Sequence, residues 1–310
     1  MFCLLALIVL SILGIFSATH RQLAKEAFDC VFRRITFRPC TTGFKEKMKA
    51  KLTGKILNRS PFVARFLNRH FELVSWVFFI LMVASTFWTV KGAYNFYLYG
   101  SCNGLNETGF CAFDPSGENN KVSQIATSCS LEKPSEKDLT LNGVDLSIFP
   151  IRNPDAKDKI IFIGCYGCDY TRKAYPLIQK LIANNEVSFI FAHFPVKDET
   201  NFLSEYGYCA YKQDQERFWQ FNDALFASDK QNLGNKNYVD GLASKIGYNL
   251  TTIDRCIDSQ ETKEAVERQF QEISKTHVYG TPTVFINGKV LVGPKPYRVY
   301  ERALKGWRFW

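Results

Sequence analysis

Five residues, Gly164-Cys165-Tyr166-Gly167-Cys168, constrain this 310-residue chain more than any other feature. They follow Ile160-Ile161-Phe162-Ile163, a wholly apolar run of the kind found in central strands covered on both faces. They lead into a helical stretch from about Cys168 to Asn184. A cysteine at a helix N-terminus meets unpaired backbone N–H groups and the positive end of the macrodipole, and both stabilise a thiolate. Cys165 is therefore read as an attacking thiol. Cys168, three residues on and on the same face, is read as the thiol that resolves a mixed disulfide. A zinc half-site or a structural disulfide would use the same spacing. Zinc ordinarily needs a second close pair, and the chain has no other C-x2-C and no H-x3–5-H. Redox chemistry is the favoured reading, with no metal and no cofactor expected.

The formal charge of +9 and a sequence pI near 9.0 invite a nucleic-acid partner until the charge is located. Residues 19–71 hold 13 Lys+Arg and three acids, a net +10, which leaves −1 for the rest of the chain. Nucleic-acid binding by the main domain thereby loses its support. At 46% hydrophobic and 22% charged the chain is not disordered either. The basic segment lies between two uncharged apolar runs, Phe2 to Ala18 and Leu73 to Val90. Each reaches the minimum of about 17 residues for a helix that crosses a bilayer. A cleaved signal peptide is the rival for the first run, but the stretch before it has no Lys or Arg, and Phe16 would occupy the −3 site. A short Lys/Arg-rich loop stays in the cytoplasm. The expected order is a transmembrane helix over 1–18, a basic cytoplasmic loop over 19–71 and a second transmembrane helix over 72–91. An exoplasmic linker then runs over 92–142, and an α/β domain over 143–310. Trp88, Tyr94, Tyr97 and Tyr99 would lie at the outer interface. Within the loop Phe44, Met48, Leu52 and Ile56 recur at helical spacing among lysines, and Ser60-Pro61 looks like an N-cap with proline at the first helical position. The basic helix either lies on the anionic inner leaflet or only fixes topology.

Beyond the linker the pattern alternates apolar strands (Val144 to Phe149, Ile160 to Ile163, Val187 to Phe194) with helix, an α/β signal. Tyr279-Gly280-Thr281-Pro282 then reads as a turn before the strand Thr283-Val284-Phe285-Ile286, and Asn287-Gly288 as a type I′ turn to Lys289-Val290-Leu291-Val292. A strand-CxxC-helix with Pro176 inside the helix, followed by Gly-Thr-Pro-Thr-Val-Phe-Ile-Asn-Gly and a terminal helix, closely resembles the DsbA-like branch of the thioredoxin superfamily. Tyr208 through Phe226 resembles that branch's inserted helical subdomain, here about 198–276. The resemblance covers about Ser147 to Leu304. It implies a thioredoxin-like fold with a helical insertion, a cis bond at Pro282, and a Thr281 backbone that hydrogen-bonds an extended substrate peptide. It also implies an exposed Cys165 and a covered Cys168. The chain departs from the branch in its Tyr-Gly dipeptide between the cysteines and in Lys159, six residues before the first, where many relatives carry an acid.

Cys209 and Cys256 fall in the insertion, where a structural bridge is favoured over an auxiliary redox pair; Cys102 and Cys111 enclose a Gly/Asn-rich loop suited to local pairing. Cys129 is left over, with Cys3 near the outer interface, and Cys30 and Cys40 are expected as reduced cytoplasmic thiols. His193 and His277 lack the partners of a nucleophile–base pair. Asn106 and Asn249 begin N-glycosylation sequons on the outer side. The chain is thus expected to be a multi-pass membrane protein that oxidises exported proteins and is reoxidised by a membrane partner of the DsbB or quinone-reductase type. A reductase or isomerase fed by a membrane electron carrier, and a binding or chaperone module without turnover, are the alternatives.

Overall fold

The computed structural model describes residues 2–36, 38, 43–57, 60–124 and 139–306. The chain divides into two compact units, Met1–Lys91 and Gly92–Trp310. The first is helical: α1 (Phe2–Phe16), α2 (Ala18–Ile35), α3 (Phe44–Leu57), α4 (Pro61–Arg69) and the start of α5 (Phe71–Tyr99). Ser60 and Pro61 begin α4 as its N-cap and first residue. Phe44, the first apolar position of the period-four repeat, is buried against α1 and α2 with Met48 beside it.

One of the two expected spans has a helix of the required length, the other is not shown, and the state of Cys30 is corrected. Helix α1 has 15 residues, a length of about 22 Å against a hydrocarbon core of ~30 Å. Its Ala6 and Leu10 are buried with Leu23, Ala27 and Val31 of α2. Among the described residues one helix, α5, is long and apolar enough to cross a membrane. Cys30, expected as a free thiol, is disulfide-bonded and buried on the α1–α2 seam. Its partner lies outside the described residues, as do Cys40, Cys129 and the side chain of Cys3. A bonded cysteine fits an oxidising compartment, whereas the basic charge around it fits the cytoplasmic face.

The second unit is built on a five-stranded sheet. In chain order its elements are β1 (Ser123–Gln124), β2 (Ile151–Arg152), β3 (Asp158–Gly164), α6 (Asp169–Ala183) and β4 (Val187–His193). The insertion α7 (Phe202–Gln213), α8 (Gln215–Ala227), α9 (Lys236–Ile246), α10 (Leu250–Ile257) and α11 (Gln260–Lys275) follows. The chain then completes β5 (Gly280–Thr281), β6 (Thr283–Ile286), β7 (Lys289–Val292) and α12 (Tyr297–Lys305). The sheet order is β2-β4-β3-β6-β7, with β3 parallel to β4 and the other pairs antiparallel. Side chains alternate across β3. Ile160 and Phe162 pack with the helices through Ile178, Phe218 and Phe221, while Ile161 and Ile163 pack with Phe149, Ile273 and Phe285 on the other face. Asn287 and Gly288 both take positive φ, as a type I′ turn requires.

Val144 to Phe149, read from its apolar content as a strand, is instead a loop with a 3-10 turn at Leu146–Ile148. Asp145 accepts from the backbone N–H and the hydroxyl of Ser147 at 3.0 and 2.6 Å, a local bond that displaces sheet pairing. Cys209 and Cys256 are bonded and tie α7 to α10 across 47 residues, a loop closure worth about 4 kcal/mol on the chain-entropy account. Cys102 and Cys111 are bonded across nine residues.

The described residues 100–124 that follow α5 are docked rather than free. Arg298 and Arg302 donate to the carbonyls of Phe96, Tyr97 and Leu98 at the end of α5, where cations complement the helix dipole. The Asn106 amide pairs with the edge of β7, donating to Val290 O at 3.0 Å and accepting from Val292 N–H at 2.7 Å. This buried amide is not a glycosylation acceptor in the folded chain. Asn249 caps α10 by accepting from Thr252 N–H.

Candidate redox site

Strand β3 delivers the CYGC segment to the N-terminus of α6, with Cys168 as the N-cap residue, its sulfur accepting from Thr171 N–H at 3.4 Å. The segment closes as a turn, Cys168 N–H donating to Cys165 O at 3.1 Å. Both cysteines are free thiols. Both are also fully buried, at 0% exposure, which corrects the expectation that Cys165 is open to solvent.

Two different segments cover them. The Cys165 sulfur lies 3.4 Å from Thr200 Oγ1, and that hydroxyl is itself held by Lys197 O at 2.8 Å in the turn that opens the insertion. The Cys168 sulfur lies 3.1 Å from Ser123 Oγ and 3.4 Å from Thr281 O. The Thr281–Pro282 bond is cis, so the proline turns the chain beside the redox pair and brings the Thr281 carbonyl to Cys168. The backbone edge of Gly280–Thr281 is paired antiparallel with Ser123–Gln124.

Tyr166, one of the two residues between the cysteines, carries no functional signal in the sequence. Its side chain is 1% exposed, and its hydroxyl donates to Asn222 Oδ1 of α8 at 2.7 Å. Asn222 Nδ2 donates to the Tyr175 hydroxyl at 2.6 Å, and that hydroxyl donates to Asp223. The turn between the cysteines is thereby anchored in the insertion. Arg172 adds a second anchor, donating to Tyr166 O at 3.1 Å and to the carbonyls of Leu225 and Ser228 at the end of α8. Burial raises both phenols far above their ordinary range. It also raises the Asp223 carboxyl, against the Tyr175 bond and the Arg152 charge, which lower it. The sequence signal for this chain was the Phe218 to Phe226 block, legible as an insertion but not as a partner of Tyr166.

His193 ends β4 with its ring 4.6 Å from that of Tyr166. Its Nδ1 is 2.9 Å from Ser204 Oγ, while Nε2 is sealed from solvent without a partner. Burial pushes the imidazole down to about 3, so it is neutral at physiological pH. His277 is exposed in left-handed conformation after α11 and touches none of these groups.

The chain is 28% identical over 147 residues to the probable disulfide bond formation protein D of Bacillus anthracis, covering 44% of this chain and 68% of that one. It is 26% identical over 168 residues to disulfide bond formation protein D of Bacillus subtilis, covering 49% and 75%. Among solved structures, oxidised BdbD of Bacillus subtilis superposes with a TM-score of 0.46 at 22% identity, covering 53% of this chain and 96% of that one. The thiol-disulfide exchange protein alpha-DsbA2 of Wolbachia pipientis gives 0.44 at 17%, covering 54% and 88%. A family model described as thioredoxin matches residues 151–306, half of the chain, and the chain belongs to that family as a DsbA-type thiol–disulfide oxidoreductase.

Proposed function

We propose that the chain oxidises thiols of exported proteins through the Cys165–Cys168 pair while tethered to a membrane by α5. The observation that carries this reading is the pair of free thiols at the β3–α6 junction, with the Cys168 sulfur 3.4 Å from Thr281 O. A substrate thiolate attacks Cys165 of the Cys165–Cys168 disulfide, forming a mixed disulfide and releasing Cys168. A second substrate thiolate then attacks the substrate sulfur of that bond, forming the substrate disulfide and releasing Cys165. Two electrons pass to the enzyme pair, and the released thiolates take up the protons that the substrate thiols lose. A membrane disulfide or quinone carrier of the DsbB type reoxidises the pair. The similarity to disulfide bond formation proteins supports this direction.

The reduction potential tests it. A value nearer the roughly −120 mV of strong oxidants than the roughly −270 mV of thioredoxin is expected. A potential at the thioredoxin end would make the chain a reductase or isomerase fed by a membrane electron carrier.

In this reading unit 92–310 faces outward, with the basic segment before α5 on the cytoplasmic side. Protease added to intact spheroplasts is expected to digest residues 92–310 and spare residues before Phe71. Digestion of the N-terminal helices instead would side with the bonded Cys30 and reverse the placement.

A further inference from the structure

The segment before the redox domain occupies the edge at which a substrate would have to bind. Ser123 and Gln124 pair antiparallel with Thr281 and Gly280, a two-residue strand added to an otherwise open edge. Ser123 stands opposite Thr281 in that register, and its hydroxyl is 3.1 Å from the Cys168 sulfur. Val122 packs into the apolar layer that holds Phe149, Ile163 and Phe285.

The seat is built for this segment. Gly280 does not take a positive φ, so backbone conformation does not demand glycine there. A Cβ on it would stand 2.7 Å from Ser123 O and 2.7 Å from a Val122 methyl, so the close approach of the segment accounts for the missing side chain. A Cβ on Gly293 would meet Lys121 O at 2.8 Å. Lys295, 1% exposed, places its ammonium on Asn120 Oδ1, and Asn120 Nδ2 donates to Glu107 O at 2.6 Å. Glu118 pairs with Lys173 of α6.

We propose that Val122-Ser123-Gln124 is a built-in stand-in for substrate, a strand that sets its serine on the Cys168 sulfur, and that an extended substrate peptide must displace it to reach the redox pair. This rests on the oxidoreductase reading above and adds the occupant of its site. The chemistry of the seat defines the competitor: an extended segment with an apolar β-branched residue against Gly280.

The test uses the reduced full-length protein in detergent micelles and iodoacetamide, which alkylates a thiolate with loss of iodide and needs no assumption about the direction of electron flow. Val122→Asp, which unseats the apolar anchor, and Asn120→Ala, which cuts the ties to Glu107 and Lys295, are each expected to raise the alkylation rate of Cys168, the thiol that Ser123 covers, at least tenfold. A synthetic peptide spanning Glu118–Gln124 added in excess is expected to restore protection. Equal rates in wild type and both variants, with thermal melts showing all three folded, overturn the proposal. Ser123→Cys supplies an independent check on the oxidised protein, since exchange of the new thiol with the Cys165–Cys168 disulfide conserves electrons. Peptide mapping is expected to find position 123 joined to one of the two cysteines. A free, rapidly alkylated thiol at 123 would show that the segment does not lie on the site. If the variants open the site but the potential is that of a reductase, the occupant stands and the direction of catalysis falls.

Discussion

Cys165→Ser is expected to lower the rate of substrate oxidation by roughly 10³-fold or more, as loss of a nucleophile does in enzymes that form covalent intermediates. In the proposed reaction its sulfur bonds to substrate, and a hydroxyl neither forms nor exchanges a disulfide. Cys168→Ser is expected to lose turnover as completely but to leave a different trace. The Cys165 thiol then attacks a substrate disulfide with no neighbouring thiol to resolve the product, so a covalent enzyme–substrate adduct accumulates. Non-reducing gels with mass spectrometry of the shifted band distinguish the two variants. An adduct with Cys165→Ser and none with Cys168→Ser would exchange their roles, and persistence of the in vivo effect in both would leave a binding module without redox turnover. Because neither thiol is exposed, adduct formation also reports whether the covering segments move.

What the sequence discloses and what it hides follow from the range of the interactions. The CYGC segment is legible because an apolar strand, two cysteines and a helix start lie within a dozen residues, and the Asn287-Gly288 turn because φ demands its residues. Tyr166 is different: its partner Asn222 is 56 residues away, so its burial follows from tertiary packing that no local pattern carries. Strand β1 has two residues in a polar segment and pairs with residues over 150 positions later. No periodicity exists over so short a stretch. Composition does not decide the first apolar run for a related reason, since a 15-residue helix packed on a neighbour and a short membrane span share it. The docked Asn106 likewise reads from sequence as a sequon, because its pairing with β7 is a contact across more than 180 residues.

His193 carries the largest expected pH effect on stability. Its ring is buried with Nε2 unpartnered, and desolvation lowers it from 6.5 to about 3. The unfolded chain therefore binds a proton below pH 6.5 that the folded chain refuses until about pH 3. Stability is full above the unfolded value and is lost as pH falls through this window, at up to about 1.4 kcal/mol per pH unit and about 5 kcal/mol in all. Asp223 acts with the opposite sign: burial raises its carboxyl in the fold, so the folded state binds its proton more readily and gains as pH falls toward its unfolded value of 3.8. The two slopes partly cancel, and wild-type acid unfolding alone does not separate them. His193→Gln does, because an amide keeps a partner for Ser204 Oγ and does not titrate. Urea midpoints measured from pH 7 to pH 4 are expected to fall less steeply in His193→Gln than in wild type, with the difference between the curves growing below pH 6.5. Parallel curves would mean that the imidazole takes up its proton without penalty, through water reaching Nε2. The ring of Tyr166 rests on this imidazole, so charging it also disturbs the turn between the cysteines, and loss of redox activity on acidification is expected to precede global unfolding.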